Sequence, residues 1–398
     1  MTVTLLGWLD RLQRLGRLRF DRPARFLLRH RARRPPLLAG LEHERRTNRV
    51  VLVIGNHDIE LNWPLVQEEI IRRMELSQDL RQNIRFCEWF YISNKDTFIE
   101  HGNQHDAYCV TLDPMHPLIK KGSKILVRIS FGDMAGKLMI NGIGLMNPHV
   151  ESSFIKDTVR EYAVFFYTYM ARVQPFALWS WFWSALSTLV VTVNEGLMQA
   201  LKDPLMIEER VEHIAVRSNA PARIVRLLRE LRVHPAIFSP LRILRELWLD
   251  RLLFFFFVLF LGFQIYAVTN VFSTVSFWWF LVPVLCGFPA FMFYTRSVQS
   301  EVDAMNRATM KVMPLLSRVT GMNRVIHGHT HREIHQDLDG VEYVNPGTWS
   351  PGYHDLECTK PMGRKCVVWI KPVAEGKLRT ATLYEWKDGQ GMVEIAKT

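Results

Sequence analysis

The chain is predicted to be an α/β protein with an inserted helical region that carries a two-helix transmembrane hairpin. Three observations predict it. Apolar runs such as Val50-Val51-Leu52-Val53-Ile54 and Val325-Ile326 lead into glycines next to histidines, as buried strands do at the carboxyl edge of an open sheet, where ligands usually bind. Arg-rich amphipathic stretches such as 222–229 read as helices between them. Residues 252–295 then run 44 positions without a charged side chain, bracketed by Arg251 and Arg296. One span needs about 20 apolar residues, so this run makes two spans and a turn near Asn270–Val275.

At 398 residues the chain is long enough for two or three domains and a stable core. Five cysteines (87, 109, 286, 358, 366) show no paired spacing, which argues for a reducing compartment. Residues 1–48 form a basic N-terminal segment. Leu5, Leu9, Leu12, Leu15 and Leu18 recur at helical spacing among arginines, the pattern of an amphipathic helix with a solvated basic face or one lying on an anionic membrane. Much of the net charge of +11 resides there. No basic platform interleaved with aromatics accompanies it, which argues against nucleic acid.

Residues 49–150 hold the first motif, Gly55-Asn56-His57-Asp58, at the end of an apolar strand. Asn62 is the expected N-cap of a helix opened by Pro64, and 84–92 is strand-like. A third strand, Thr97-Phe98-Ile99, runs into Glu100-His101-Gly102. His105 and Asp106 follow, expected either to support the site or face substrate, or to be no more than the polarity of a loop. Gly132-Asp133 reads as a helix cap or turn. Residues 151–251 are expected to be helical, with Trp-rich 173–194 an interfacial or core helix. The last part, 296–398, holds Gly328-His329-Thr330-His331 after its strand. Strand ends that each present imidazole form a metal-site pattern.

Gly55-Asn56-His57-Asp58, His101-Gly102 and Gly328-His329-Thr330-His331 together resemble the calcineurin-like metallophosphoesterase family, whose later three blocks appear here in order. Tyr343-Val344-Asn345-Pro346-Gly347 suits the family's next strand and turn. The resemblance covers roughly residues 48–115 and 320–385. It implies a metallophosphoesterase-type α/β sandwich that binds one or two divalent metal ions (Mn, Zn or Fe). It further implies Asn56, His101 and His329 as ligands of one ion and His331 of the other, with His57 as general acid oriented by Asp58. The implied activity is hydrolysis of a phosphoester, lipid-linked or nucleotide-linked substrates included, by metal-activated hydroxide.

The family's upstream Asp-x-His and Gly-Asp blocks have no counterpart. In the stretch most similar to them, Leu5-Leu6-Gly7-Trp8-Leu9-Asp10, Trp8 stands where the bridging aspartate belongs. A lost first strand, a coding start upstream of Met1 and a disrupted copy all fit that departure. Neutral ligands without an anion compensate a dication poorly, so impaired activity is expected. The alternative is a catalytically degenerate domain serving as a membrane-bound binding or scaffold module.

Topology is constrained by the chemistry. His101 and His329 share an ion only if an even number of membrane crossings separates them, and the 252–295 hairpin satisfies this alone. The arginines around it place the catalytic domain and both termini on the cytoplasmic side of an inner membrane. Oligomeric state has no sequence signal.

Overall fold

The computed structural model describes residues 49–74, 77–121, 123–140, 167, 177–198, 206–298, 301–349, 352–353, 361–373 and 379–397. The basic helix and Trp8 of the N-terminal segment lie outside the described residues, as does Cys358. The strands, in order, are β1 (Val50–Val53), β2 (Ile84–Cys87), β3 (Phe90–Ser93), β4 (Thr97–Glu100), β5 (Leu118–Lys121) and β6 (Lys124–Val127). After the helical region come β7 (Arg324–His327), β8 (Glu333–Leu338), β9 (Val341–Pro346), β10 (Gly352–Tyr353), β11 (Pro361–Met362), β12 (Cys366–Pro372), β13 (Arg379–Lys387) and β14 (Gly391–Glu394).

The central sheet has the order β3-β4-β7-β9-β8 and is mixed. Its middle pairs, β4 with β7 and β7 with β9, are parallel, and its outer pairs are antiparallel. Alternation along each strand sorts side chains between two faces. Val325 and Tyr343 join Phe90, Phe98 and the helices Ile207–Arg217, Ala222–Glu230 and Glu301–Thr320 in one core. Ile326 and Val344 face the other way, onto Cys366, Ala381 and Leu383 of the antiparallel β12-β13-β14 sheet. The result is a helix, sheet and sheet sandwich, so the mixed α/β expectation holds.

β1 and β2 form a separate parallel pair, with Leu52, Ile54 and Phe86 packed under the helix Pro64–Arg73. Pro64 opens that helix as expected, but the cap residue is Trp63. Asn62 closes the preceding 3-10 turn, its Nδ2 donating to Ile59 O at 2.9 Å. The strand-like stretch 84–92 is two strands broken at Glu88-Trp89.

Between β6 and β7 lies the helical region. Ala177–Leu197 buries Ala185, Thr188 and Thr192 and exposes Trp179 and Trp183. It is therefore amphipathic, neither wholly core nor free. Arg128 caps its end by donating to Glu195 O at 3.0 Å and Met198 O at 2.5 Å, cation on the negative end of the helix dipole.

Leu249–Phe272 and Leu281–Ser297 are long apolar helices packed as a pair, their side chains largely exposed. Leu249–Phe272, and the second helix taken with its 3-10 start as Phe277–Ser297, are long and apolar enough to cross a membrane. The turn falls where the sequence put it, with Asn270 Oδ1 accepting from Val275 N at 3.0 Å. Glycine lets the helices close. A Cβ on Gly262 would meet Val284 at 2.8 Å, and one on Gly287 would meet Val258 at 2.7 Å. Their base is fastened by Arg251, which donates to Arg245 O at 2.7 Å and Val298 O at 2.8 Å, and by Tyr294, which donates to Asp250 at 2.8 Å.

Candidate metal centre

The carboxyl ends of β1, β4 and β7 converge. Gly55 is required there, because a Cβ would stand 2.7 Å from the His101 ring. Asn56 is buried, and its Oδ1 lies 2.9 Å from His101 Nε2. Two ligands at right angles on one ion, with bonds near 2.1 Å, would sit about 3 Å apart. His329 comes in from β7, its ring centroid 5.4 Å from that of His101. His331 stands near enough to act on His101, whose pKa is pushed well below the usual imidazole value by burial and then by His329, His57, His327 and His331. A neutral imidazole is the ligating form.

The loop Gly328–His331 is held in an unusual shape. His329 and His331 take φ of 66° and 60°, a left-handed conformation that costs a residue with a Cβ roughly 1 kcal/mol or more. Asn345 of β9 holds it, donating from Nδ2 to Gly328 O and Thr330 Oγ1, both at 2.9 Å. Strain maintained by a buried side chain is a feature of ligand-holding loops.

Two carboxylates complete the cluster. Asp133, expected only to cap or turn a helix, does sit in the first turn of Phe131–Ala135. Its N donates to Ser130 Oγ at 3.3 Å, and Ser130 Oγ donates back to Asp133 Oδ2 at 2.7 Å. Its other oxygen accepts from Asn56 Nδ2 at 3.0 Å and lies 2.9 Å from His57 Nδ1. The orienting place expected of Asp58 is thus taken by Asp133, 77 residues from Asn56. Burial pulls the His57 pKa down, but the hydrogen bond and charge of Asp133 outweigh it and leave it raised. Asp58 is buried with Oδ1 unpartnered among the described residues, and burial pushes its carboxyl up to about 6.

Asp106 is the second carboxylate. Its Oδ2 lies 2.9 Å from His329 Nε2, 223 residues apart in sequence. It thus bonds one of the imidazoles that the sequence marks as a ligand. Burial opposes its charge, yet the His329 bond holds its pKa below the ordinary carboxylate range. Cys109 stands with Asp106 and His329 in a group whose ligand atoms lie within 4.8 Å of one another. Gly132 is the glycine that Cys109 needs, since a Cβ there would meet Sγ at 2.5 Å.

His105 is not substrate-facing. It is buried beneath the site, its Nε2 2.6 Å from Glu100 Oε1. Two carboxylates, Asp133 and Asp106, thus stand beside the neutral groups at the strand ends. Comparison with family models, curated proteins and solved structures finds no match for this chain.

Proposed function

We propose that the chain is a membrane-anchored, metal-dependent phosphoester hydrolase of metallophosphoesterase type. One observation carries this reading. Asn56, His57, His101 and His329, from three strand ends, gather with Asp133 and Asp106 in one cluster. Neutral imidazole, amide oxygen and carboxylate donors fit a divalent Mn, Zn or Fe ion. Asn56, His101 and His329 would hold it, with His331 offering a ligand to a second ion and Asp133 and Asp106 compensating the charge. When bound, such an ion lowers the pKa of a water and neutralises phosphoryl oxygens.

The remaining work falls to the chain. His57 is partly exposed with its Nδ1 held by Asp133, and its imidazole is the group that would pass a proton to a departing alkoxide. The raised pKa of His57 keeps more of it protonated at neutral pH. Asp133 fixes the ring's orientation, as a carboxylate behind a functional imidazole does. The apolar helix pair anchors this site to a membrane, and the surrounding arginines favour the cytoplasmic face.

The test is turnover by the full chain in detergent, loaded with Mn²⁺ or Zn²⁺, on an aryl phosphomonoester, an aryl phosphodiester and a lipid-linked phosphoester in mixed micelles. Metal-dependent hydrolysis of one of these, abolished by His329→Ala, is expected. Metal bound at this cluster with no hydrolysis of any would overturn the enzyme reading. It would leave the binding or scaffold module, which the departure at Trp8 favours.

A further inference from the structure

Glu100 and His101 are neighbours on β4, so their side chains leave the strand on opposite faces. His101 turns to Asn56 and His329. Glu100 turns instead to His105 and His327. All three are buried, with His327 wholly out of solvent. Their ligand atoms lie within 4.8 Å of one another.

We propose that Glu100, His105 and His327 form a second metal site, which holds one divalent transition ion of the Zn²⁺ class inside the fold. The geometry is close to what such an ion needs. His327 Nε2 stands 3.6 Å from Glu100 Oε1. Two ligands in a tetrahedral site with bonds near 2.1 Å are about 3.4 Å apart. His105 Nε2, at 2.6 Å from the same oxygen, has less than about 1 Å to open.

Unmet polar atoms point the same way. Neither ring nitrogen of His327 makes a hydrogen bond of good geometry among the described residues, though the Gly328 backbone lies near it, and His105 Nδ1 has no partner there. Buried polar atoms without partners are rare, and each costs roughly 1–3 kcal/mol. An ion on His327 Nε2 would satisfy one of them. The set is one carboxylate and two imidazoles, which suits a borderline dication.

The backbone is shaped around this group. Gly102 has φ of 108°, and a Cβ there would stand 2.1 Å from the His327 ring. Only glycine meets both conditions. Glu100 and His327 are also paired residue for residue across β4 and β7. An ion here would tie together strands that lie on either side of the helical insertion, a structural role in place of a catalytic one.

This inference does not rest on the hydrolase reading. The experiment is metal content of the purified full chain carrying His329→Ala, which empties the cluster at the strand ends, after Zn²⁺ loading and gel filtration. About one equivalent of Zn²⁺ should remain, and it should fall to below about a tenth on adding either Glu100→Gln or His327→Gln. Retention of the ion in both of those double variants, or its absence from His329→Ala alone, overturns the proposal. Should the double variants not fold, X-ray absorption on the Zn²⁺-loaded His329→Ala chain decides. Two imidazoles with oxygen donors support the site, and any sulfur or a different imidazole count refutes it.

Discussion

Asp133→Asn tests the centre of the candidate site with almost no change of shape. Three groups donate to this buried carboxylate: Asn56 Nδ2 at 3.0 Å, Ser130 Oγ at 2.7 Å and His57 Nδ1 at 2.9 Å. Hydrogen bonds to a charged acceptor contribute about 1.5–3 kcal/mol and neutral ones about 0.5–1.5. Each bond therefore loses roughly 1 kcal/mol, less for His57, whose side chain is about a third exposed and screened. The expected deficit is about 2–3 kcal/mol. Part of it must depend on pH. Because Asp133 helps to raise the His57 pKa in the folded chain, that contribution is fully present below the ordinary imidazole pKa. It is lost as pH rises through the raised one. Unfolding of wild type and variant, followed from pH 5.5 to 9, should show a deficit that shrinks with rising pH. The His57 ring proton resonances should titrate lower in the variant. A deficit that grows with pH, or an unmoved His57 titration, would refute the assignment of Asp133 as its partner.

Asp58→Asn should do the reverse. Burial raises this carboxyl to about 6, so its ionisation destabilises the fold above that pH by up to about 3 kcal/mol. The variant should gain stability at pH 8 and none near pH 4, and a gain that is independent of pH would contradict this. If the hydrolase reading is right, His57→Ala should lower turnover about 10²–10⁴-fold with metal content intact, whereas loss of metal would make His57 a ligand. In a cysteine-free background, Lys95→Cys and Asp339→Cys should react with an impermeant reagent from one side of sealed vesicles and Ser273→Cys from the other. Labelling of the first two from opposite sides would end the hairpin arrangement.

What the sequence makes legible is whatever acts locally. The uncharged run at 252–295 announces the apolar pair because length and charge alone decide it. The turn at Asn270–Val275 follows from the same run. Gly55-Asn56-His57-Asp58 and Gly328-His329-Thr330-His331 stand out because each packs glycine and polar groups at the end of an apolar strand. Asp133 does not. Its Gly-Asp lies 77 residues from its partner Asn56, and within its own segment it looks like the start of a short helix capped by Ser130. Both descriptions are true, and only the fold shows the second. Asn62 failed as a cap for a smaller reason: its amide finds Ile59 O first, and side chains of this kind compete for local backbone groups.

The sheet also explains how an insertion this long leaves the site intact. β4 and β7 are hydrogen-bonded neighbours, in register from Thr97↔Arg324 to Glu100↔His327. The chain between them therefore leaves at the carboxyl edge of β4 and re-enters at the amino edge of β7, a crossover that the helical insertion makes while the two strands stay paired. Arg324 reinforces the closure, donating to Thr97 at 3.1 Å from one strand and to Glu342 at 2.6 Å from another. The base of the helix pair meets the loop that follows β4. Ala107 and Tyr108 share a core with Ile243, Leu247 and Leu249, while Asp106, one residue before them, holds His329. Tyr108 N donates to Asp106 Oδ1 at 2.8 Å, so the loop that sets the carboxylate is the loop that rests on the start of the helix pair.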